Sequence, residues 1–323
     1  MPIVTSSFIS PPLLDGGHRQ TILPVLLPRR FRSWQRQERL ELPDGDFLDL
    51  SWRQKGHSRL VILSHGLEGS SQAIYIRGMA DTLHQAGWDV LAWNYRSCGG
   101  MDNRLMRSYH SGASDDLRAV IDHAAQGYEN IALVGFSLGG NITLKYAGES
   151  PTQSAICAAI AISAPVDLAS SAQVLDADPK NRLYLQRFLR TMKAKTLLKA
   201  RRFPELRDRL AGRDGVDAVQ TIREFDERIT APVHGFADAA DYWARASSLP
   251  YLPQIQVPSL LLNARNDPLL AAASFPEALA ESSALFHLEA PANGGHVGFL
   301  DFHAGLQPWH ERRVKSFLDN LGV

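Results

Sequence analysis

Apolar positions along this chain fall into short runs separated by polar stretches that carry glycine or proline. Residues 39–42 and 47–52 largely alternate apolar and polar side chains on either side of Pro43-Asp44-Gly45-Asp46. A period of two flanking a turn-forming tetrapeptide predicts a β-hairpin. Residues 60–63, 89–93, 131–134 and 156–162 are short, mainly apolar runs, each the length of one buried strand. Between them, 74–86 carries Ile74, Met79 and Leu83 at helical spacing. The stretch 115–125 opens with acids in its first turn behind Ser114 as a helix N-cap, and 141–147 starts another helix. Strand and helix alternating in this way predict an α/β fold, a mostly parallel sheet with helices on both faces.

The rhythm stops after residue 167. Residues 183–200 form a long helical pattern, further helical pieces follow, and no strand is evident before 259–263 and 285–288, where the sheet resumes. Residues 309–321 predict a closing helix. The expected organisation is a core made of 1–167 and 249–323, with 168–248 inserted above the sheet as a helical lid. Residues 1–35 carry several prolines. Their apolar run 22–27 is interrupted by Pro24 and closed by Pro28, which predicts an irregular arm laid over the core.

Composition narrows the functional classes. The chain has 323 residues, 45% of them hydrophobic, and its 34 basic side chains equal its 34 acidic ones, so no global charge argues for nucleic acid. Cys98 and Cys157 lack zinc-ligand spacing and read as reduced thiols. The first residues, M-P-I-V-T-S-S-F, show no signal-peptide pattern, and the longest apolar stretch, 155–166, falls short of the roughly 20 residues a spanning helix needs. These features predict a cytoplasmic location. The stretch 178–202 is basic, with Lys180, Arg182, Arg187, Arg190, Lys193, Lys195, Lys199, Arg201 and Arg202. A basic amphipathic helix can touch an anionic lipid surface or attract a phosphate-bearing acyl donor. The preferred reading is a solvated lid helix with its apolar side on the body, because acids resume at Glu205, Asp208 and Asp214.

The chemistry is concentrated in Gly135-Phe136-Ser137-Leu138-Gly139, a G-x-S-x-G pentapeptide between a predicted strand and a predicted helix. So sharp a turn exposes Ser137 at its tip, and a Cβ at either glycine would collide with the neighbouring strand or helix. A serine hydroxyl needs a base, and the base needs an acid to hold its tautomer and offset its charge. Asp267 and His296 each follow a predicted strand, in the order serine, acid, histidine. Asp167 is the rival acid; the sharper strand-to-loop step favours Asp267. An oxyanion hole calls for two backbone N–H groups, and Leu67 and Leu138 are the candidates. His65 is expected to orient its loop, and His18 to be a structural hydrogen-bonder. Such chemistry requires no metal or cofactor, and the expected partner is a small-molecule acyl ester.

Further motifs extend the pattern over nearly the whole chain: Ser64-His65-Gly66-Leu67-Glu68-Gly69-Ser70, Asn94-Tyr95-Arg96-Ser97-Cys98-Gly99-Gly100, Tyr109-His110-Ser111-Gly112, Gly135-Phe136-Ser137-Leu138-Gly139-Gly140-Asn141, Asn263-Ala264-Arg265-Asn266-Asp267-Pro268 and Gly294-Gly295-His296-Val297-Gly298-Phe299. Together with Gly17-His18-Arg19-Gln20-Thr21, Phe225-Asp226 and Asp241-Tyr242-Trp243, they resemble the YheT-like branch of the α/β-hydrolases. The resemblance implies an α/β-hydrolase fold and an esterase or lipase-type activity, with Ser137 as nucleophile, Asp267 as acid and His296 as base. Two positions depart from the pattern: Ser97 stands where glycine is expected and Ala113 where an acid is more usual. His110 is expected to brace the loop before the 115–125 helix, or else to line the site. The expected function is hydrolysis of short- to medium-chain carboxylic esters; the alternative is transfer of an acyl group from coenzyme A to an alcohol by the same three residues.

Overall fold

The computed structural model describes residues 2–149, 155–211 and 215–323; Asp214 lies outside them. Its strands are β1 (Ile3–Val4), β2 (Arg36–Glu41), β3 (Phe47–Arg53), β4 (Arg59–Ser64), β5 (Asp89–Asn94), β6 (Asn130–Phe136), β7 (Ile156–Ile162), β8 (Ser259–Leu262) and β9 (Phe286–Glu289). They join in one sheet of order β1-β9-β8-β7-β6-β4-β5-β3-β2. The β2–β3 hairpin and the β3–β5 pair are antiparallel and every other pairing is parallel.

The central strands are apolar on both faces because helices cover both. In β4, Val61 and Leu63 face one core, shared with Ile76, Met79, Val314 and Phe317. Leu60 and Ile62 face the other, shared with Leu117, Val120, Ile142 and Tyr146. The first layer comes from α2 (Ile74–Gln85) and a C-terminal helix, Trp309–Asn320; the second comes from α3 (Ser114–Ala124) and α4 (Leu138–Gly148).

Two local expectations are corrected, and one strand is added. Residues 17–26 are not an irregular arm but a helix, α1 (Gly17–Leu26), with Pro24 inside it. Pro24 lacks the N–H that would bond the Gln20 carbonyl, and the helix holds because that turn is packed against the 294–300 loop. Ser114 is the first residue of α3 rather than its cap; Ala113 holds the cap position, and the Ser114 hydroxyl accepts from Lys145 Nζ at 3.1 Å. Strand β1, only two residues long, leaves no periodic signal and forms by parallel pairing with β9.

Among its described residues, the 168–248 segment holds α5 (Leu168–Ala177), α6 (Arg182–Arg202), α7 (Pro204–Ala211), α8 (Ile222–Phe225), a wide π turn at Asp226–Thr230, α9 (Ala231–His234) and α10 (Ala239–Ala246), and no strand. It buries a cluster of its own that includes Leu175, Leu185, Leu189, Phe225 and Trp243, and Leu269 joins it from the loop after β8. Polar ties fix it to the sheet layer: Asn141 Nδ2 donates to Ala246 O at 2.8 Å, and Ser111 N–H donates to the Tyr242 hydroxyl at 2.8 Å.

Candidate active site

Ser137 lies between β6 and α4 at φ 54°, ψ −122°, a left-handed conformation that a side chain rarely adopts. The two flanking glycines make it possible. A Cβ on Gly135 would stand 2.1 Å from the Gly139 carbonyl oxygen, and one on Gly139 would stand 2.4 Å from the Ser64 oxygen. The elbow is therefore wedged between its own helix and the end of β4. Leu138 is the first residue of α4, where backbone N–H groups have no partner in the helix.

The loops after β8 and β9 bring the other two predicted residues to this point. His296 Nε2 lies 2.9 Å from Ser137 Oγ, and His296 Nδ1 lies 2.8 Å from Asp267 Oδ2. The second carboxylate oxygen of Asp267 accepts the Leu269 N–H at 2.9 Å, so the buried carboxylate is held from both sides. Asp167 is elsewhere: it caps α5, accepting from Ala169 N–H at 3.2 Å.

Helix α1 braces the histidine loop. His296 N–H donates to Thr21 Oγ1 at 2.9 Å. Buried Gln20 bonds Leu300 twice, accepting its N–H at 2.8 Å and donating to its carbonyl at 3.0 Å. The approach is close enough that a Cβ on Gly17 would stand 1.9 Å from the Asn266 carbonyl oxygen. Gln20 and Thr21 are thus site residues that sequence reasoning missed. Their signal was the compact polar patch 17–21, visible but without an assigned partner. His18 pairs through Nδ1 with the Tyr184 hydroxyl at 3.1 Å, in keeping with a structural hydrogen-bonder.

The loop after β4 also passes close to the nucleophile: a Cβ on Gly66 would be 3.2 Å from Ser137 Cβ. Gly66 N–H donates to the Tyr75 hydroxyl at 2.9 Å and Glu68 N–H to the Tyr109 hydroxyl at 3.0 Å. Leu67, between them, has no hydrogen-bond partner for its N–H among the described residues. His65 is fully buried; its Nδ1 lies 2.8 Å from Gly66 O, and its Nε2 accepts from Tyr95 N–H at 3.2 Å. Burial pushes its pKa down to about 3, so it orients the loop as a neutral ring.

A model of the α/β-hydrolase fold family matches residues 59–302. YheT of Escherichia coli (strain K12), named for a proposed esterase activity, is 34% identical over 97% of this chain and 93% of its own length. The chain belongs to the YheT-like branch of the α/β-hydrolase family. Human phospholipase ABHD3 is 26% identical over 99% of this chain and 78% of its own length. The Pyrococcus furiosus esterase Pf2001 shares the fold at a TM-score of 0.58, with 18% identity over 91% of this chain and 98% of its own. Family and relatives together support hydrolase activity and a small-molecule ester as substrate.

In this hydrolase a cavity of about 180 Å³ opens on Ser137 and His296. Its walls are mainly apolar, with Leu175, Phe188, Met192, Ile222 and Phe225 from the 168–248 segment facing Leu269. Asp226, in the π turn, is the buried acid of that wall. Burial pushes its pKa up to about 7, against hydrogen bonds from Thr230 and Trp243. His110 also lines the cavity, and its Nδ1 accepts the Gly112 N–H at 3.1 Å, so it braces its loop as well.

The basic stretch divides along α6. Lys195 Nζ donates to Glu68 at 3.0 Å, Lys199 Nζ to Leu105 O at 2.8 Å, and Arg202 to Asn103 O at 2.9 Å. Arg182, Arg187, Arg190 and Arg201 face solvent beside Leu183, Leu197 and Leu198. No helix among the described residues is long and apolar enough to cross a membrane.

Proposed function

We propose that this α/β-hydrolase cleaves short- to medium-chain carboxylic esters in the cytoplasm through an acyl-serine intermediate, with 168–248 acting as a lid over the acyl pocket. The observation that carries this reading is the unbroken hydrogen-bonded line from Ser137 through His296 to Asp267. Ser137 Oγ attacks the acyl carbonyl while His296 Nε2 takes its proton. Asp267 holds the Nδ1 proton in place and offsets the imidazolium charge. The N–H groups of Leu67 and Leu138 receive the developing oxyanion. Collapse expels the alcohol, which leaves with the proton from Nε2, and water then repeats the sequence on the acyl-serine.

Membrane contact through α6 forms no part of the proposal, since Lys195, Lys199 and Arg202 are engaged by acceptors of the core. Transfer of an acyl group from coenzyme A to an alcohol would run through the same intermediate with a different acceptor. Ester formation outpacing free acid when ethanol is added would favour that alternative.

The Ser137→Ala variant tests the reading. It should lose at least about 10⁴-fold in kcat on a p-nitrophenyl ester while keeping its melting temperature. Undiminished hydrolysis would overturn the proposal.

A further inference from the structure

The loop that offers Leu67 N–H is tied to the helical segment by one charged contact. Glu68 follows Leu67 directly and holds φ 55°, in the left-handed region that a side chain rarely adopts. Its backbone N–H donates to the Tyr109 hydroxyl, and that hydroxyl donates back to Glu68 Oε1 at 2.6 Å. The same oxygen accepts from Lys195 Nζ, and Lys195 also approaches Cys98 Sγ at 3.3 Å. The carboxylate is nearly buried, at 7% side-chain exposure, so its charge is screened mainly by Lys195 rather than by water. Burial works to discharge Lys195, but Cys98 and Glu68 outweigh it and raise its pKa.

Further along α6, Lys199 also makes an ion pair, with Asp102 at 3.3 Å. Lys199 and Arg202 bond the backbone of 103–105, and Arg202 also pairs with Asp102 at 3.1 Å. These contacts fix the C-terminal end of the helix to the core. Lys195 stands one turn nearer the stretch where Phe188 and Met192 wall the cavity, and Lys195, Glu68 and Tyr109 themselves line it.

We propose that Lys195 and Glu68 are positioning residues that complete the oxyanion hole, the lysine supplied by α6 and the carboxylate by the loop after β4, an inference that rests on the serine-hydrolase reading. Two effects act together. Through Tyr109 and Lys195, Glu68 fixes the strained backbone that presents Leu67 N–H. Lys195 also neutralises a carboxylate which, left bare beside the hole, would oppose the negative charge forming on the substrate oxygen. Both act on the transition state and hardly at all on the ground-state ester, so they enter kcat rather than KM.

The test uses p-nitrophenyl acetate with the full chain and four variants, Ser137→Ala, Lys195→Met, Lys195→Arg and the pair Glu68→Gln with Lys195→Met. Lys195→Met should lower kcat by roughly ten- to a hundredfold, short of the full loss of a hole donor, with KM within about twofold. Lys195→Arg keeps the charge and should stay near the wild type. Adding Glu68→Gln to Lys195→Met removes the bare carboxylate and keeps an oxygen for Tyr109, so it should restore most of the lost kcat. A purely structural role would make the second substitution neutral or harmful. A Ser137-dependent wild type whose Lys195→Met variant matches it in kcat overturns the inference alone. So does a double variant no faster than Lys195→Met with an unchanged melting temperature. A wild type whose turnover does not depend on Ser137 overturns the parent reading, and this inference with it.

Discussion

Ser137 holds a backbone conformation that costs on the order of 1–3 kcal/mol for a residue with a side chain, and such strain persists only where neighbours over-determine it. Here the neighbours are backbone atoms of Gly139 and Ser64. That explains why the pentapeptide was legible in the sequence: its two glycines report a purely local steric demand. Asp267 was legible for a related reason, a short strand followed at once by an Asn-Asp-Pro step. Tyr75 and Tyr109, which pin the Gly66–Glu68 backbone, were not, because a tyrosine hydroxyl finds its partner across the fold and leaves no spacing to read. The choice between the two candidate acids gives a test at this scale. Asp267→Asn should lower kcat by about 10⁴-fold, since the imidazole loses the acceptor that sets its tautomer. Asp167→Asn should keep most of its turnover, because the Asp167 side chain caps α5 instead. Comparable losses in the two variants would contradict the assignment.

At the scale of elements, the strand–helix alternation was readable because buried parallel strands and amphipathic helices differ in period. Helix α1 escaped that reading. Pro24 interrupts its run, it has no side-chain cap, and its apolar residues Ile22, Val25 and Leu26 face outward. Its stability comes from the polar side, where Gln20 and Thr21 bond the loop that carries His296. The helix therefore acts as a brace, and its effect should show in rate before it shows in stability. Thr21→Val keeps the shape of the side chain but removes the acceptor for His296 N–H. It should lower kcat about tenfold or more through a displaced imidazole, with the melting temperature little changed. Thr21→Ser, which keeps the hydroxyl, should be near the wild type. A Thr21→Val variant with unaltered kcat would show that the loop holds its histidine without α1.

At the scale of the whole molecule, burial holds five imidazoles below their ordinary pKa: His65 beside the elbow, His84 in α2, His110 under the helical segment, His234 in α9 and His310 in the C-terminal helix. His65, His110 and His310 are pushed down to about 3. Their folded pKa lies below the ordinary value near 6.5, so the folded chain refuses protons that the unfolded chain accepts. The stability present above pH 6.5 is lost as pH falls towards 3. Asp226 runs the other way. Burial raises it to about 7 from an ordinary 3.8, so the folded chain takes that proton first and gains stability as pH falls from 7 to 4. Five lowered imidazoles against one acid raised as far as about 7 leave the histidines in control of the sign between pH 7 and pH 5, at about 1.4 kcal/mol per pH unit for each net proton. The melting temperature should therefore fall by at least about 5 °C between pH 7 and pH 5, well above the range where surface carboxylates titrate. Calorimetry across that interval measures it directly. Asp226→Asn removes the opposing group and should steepen the fall. A melting temperature that is level or rising from pH 7 to pH 5 would mean that these rings are not held neutral in the folded chain, and the picture of His65 as an uncharged brace behind the Gly66–Glu68 loop would go with it.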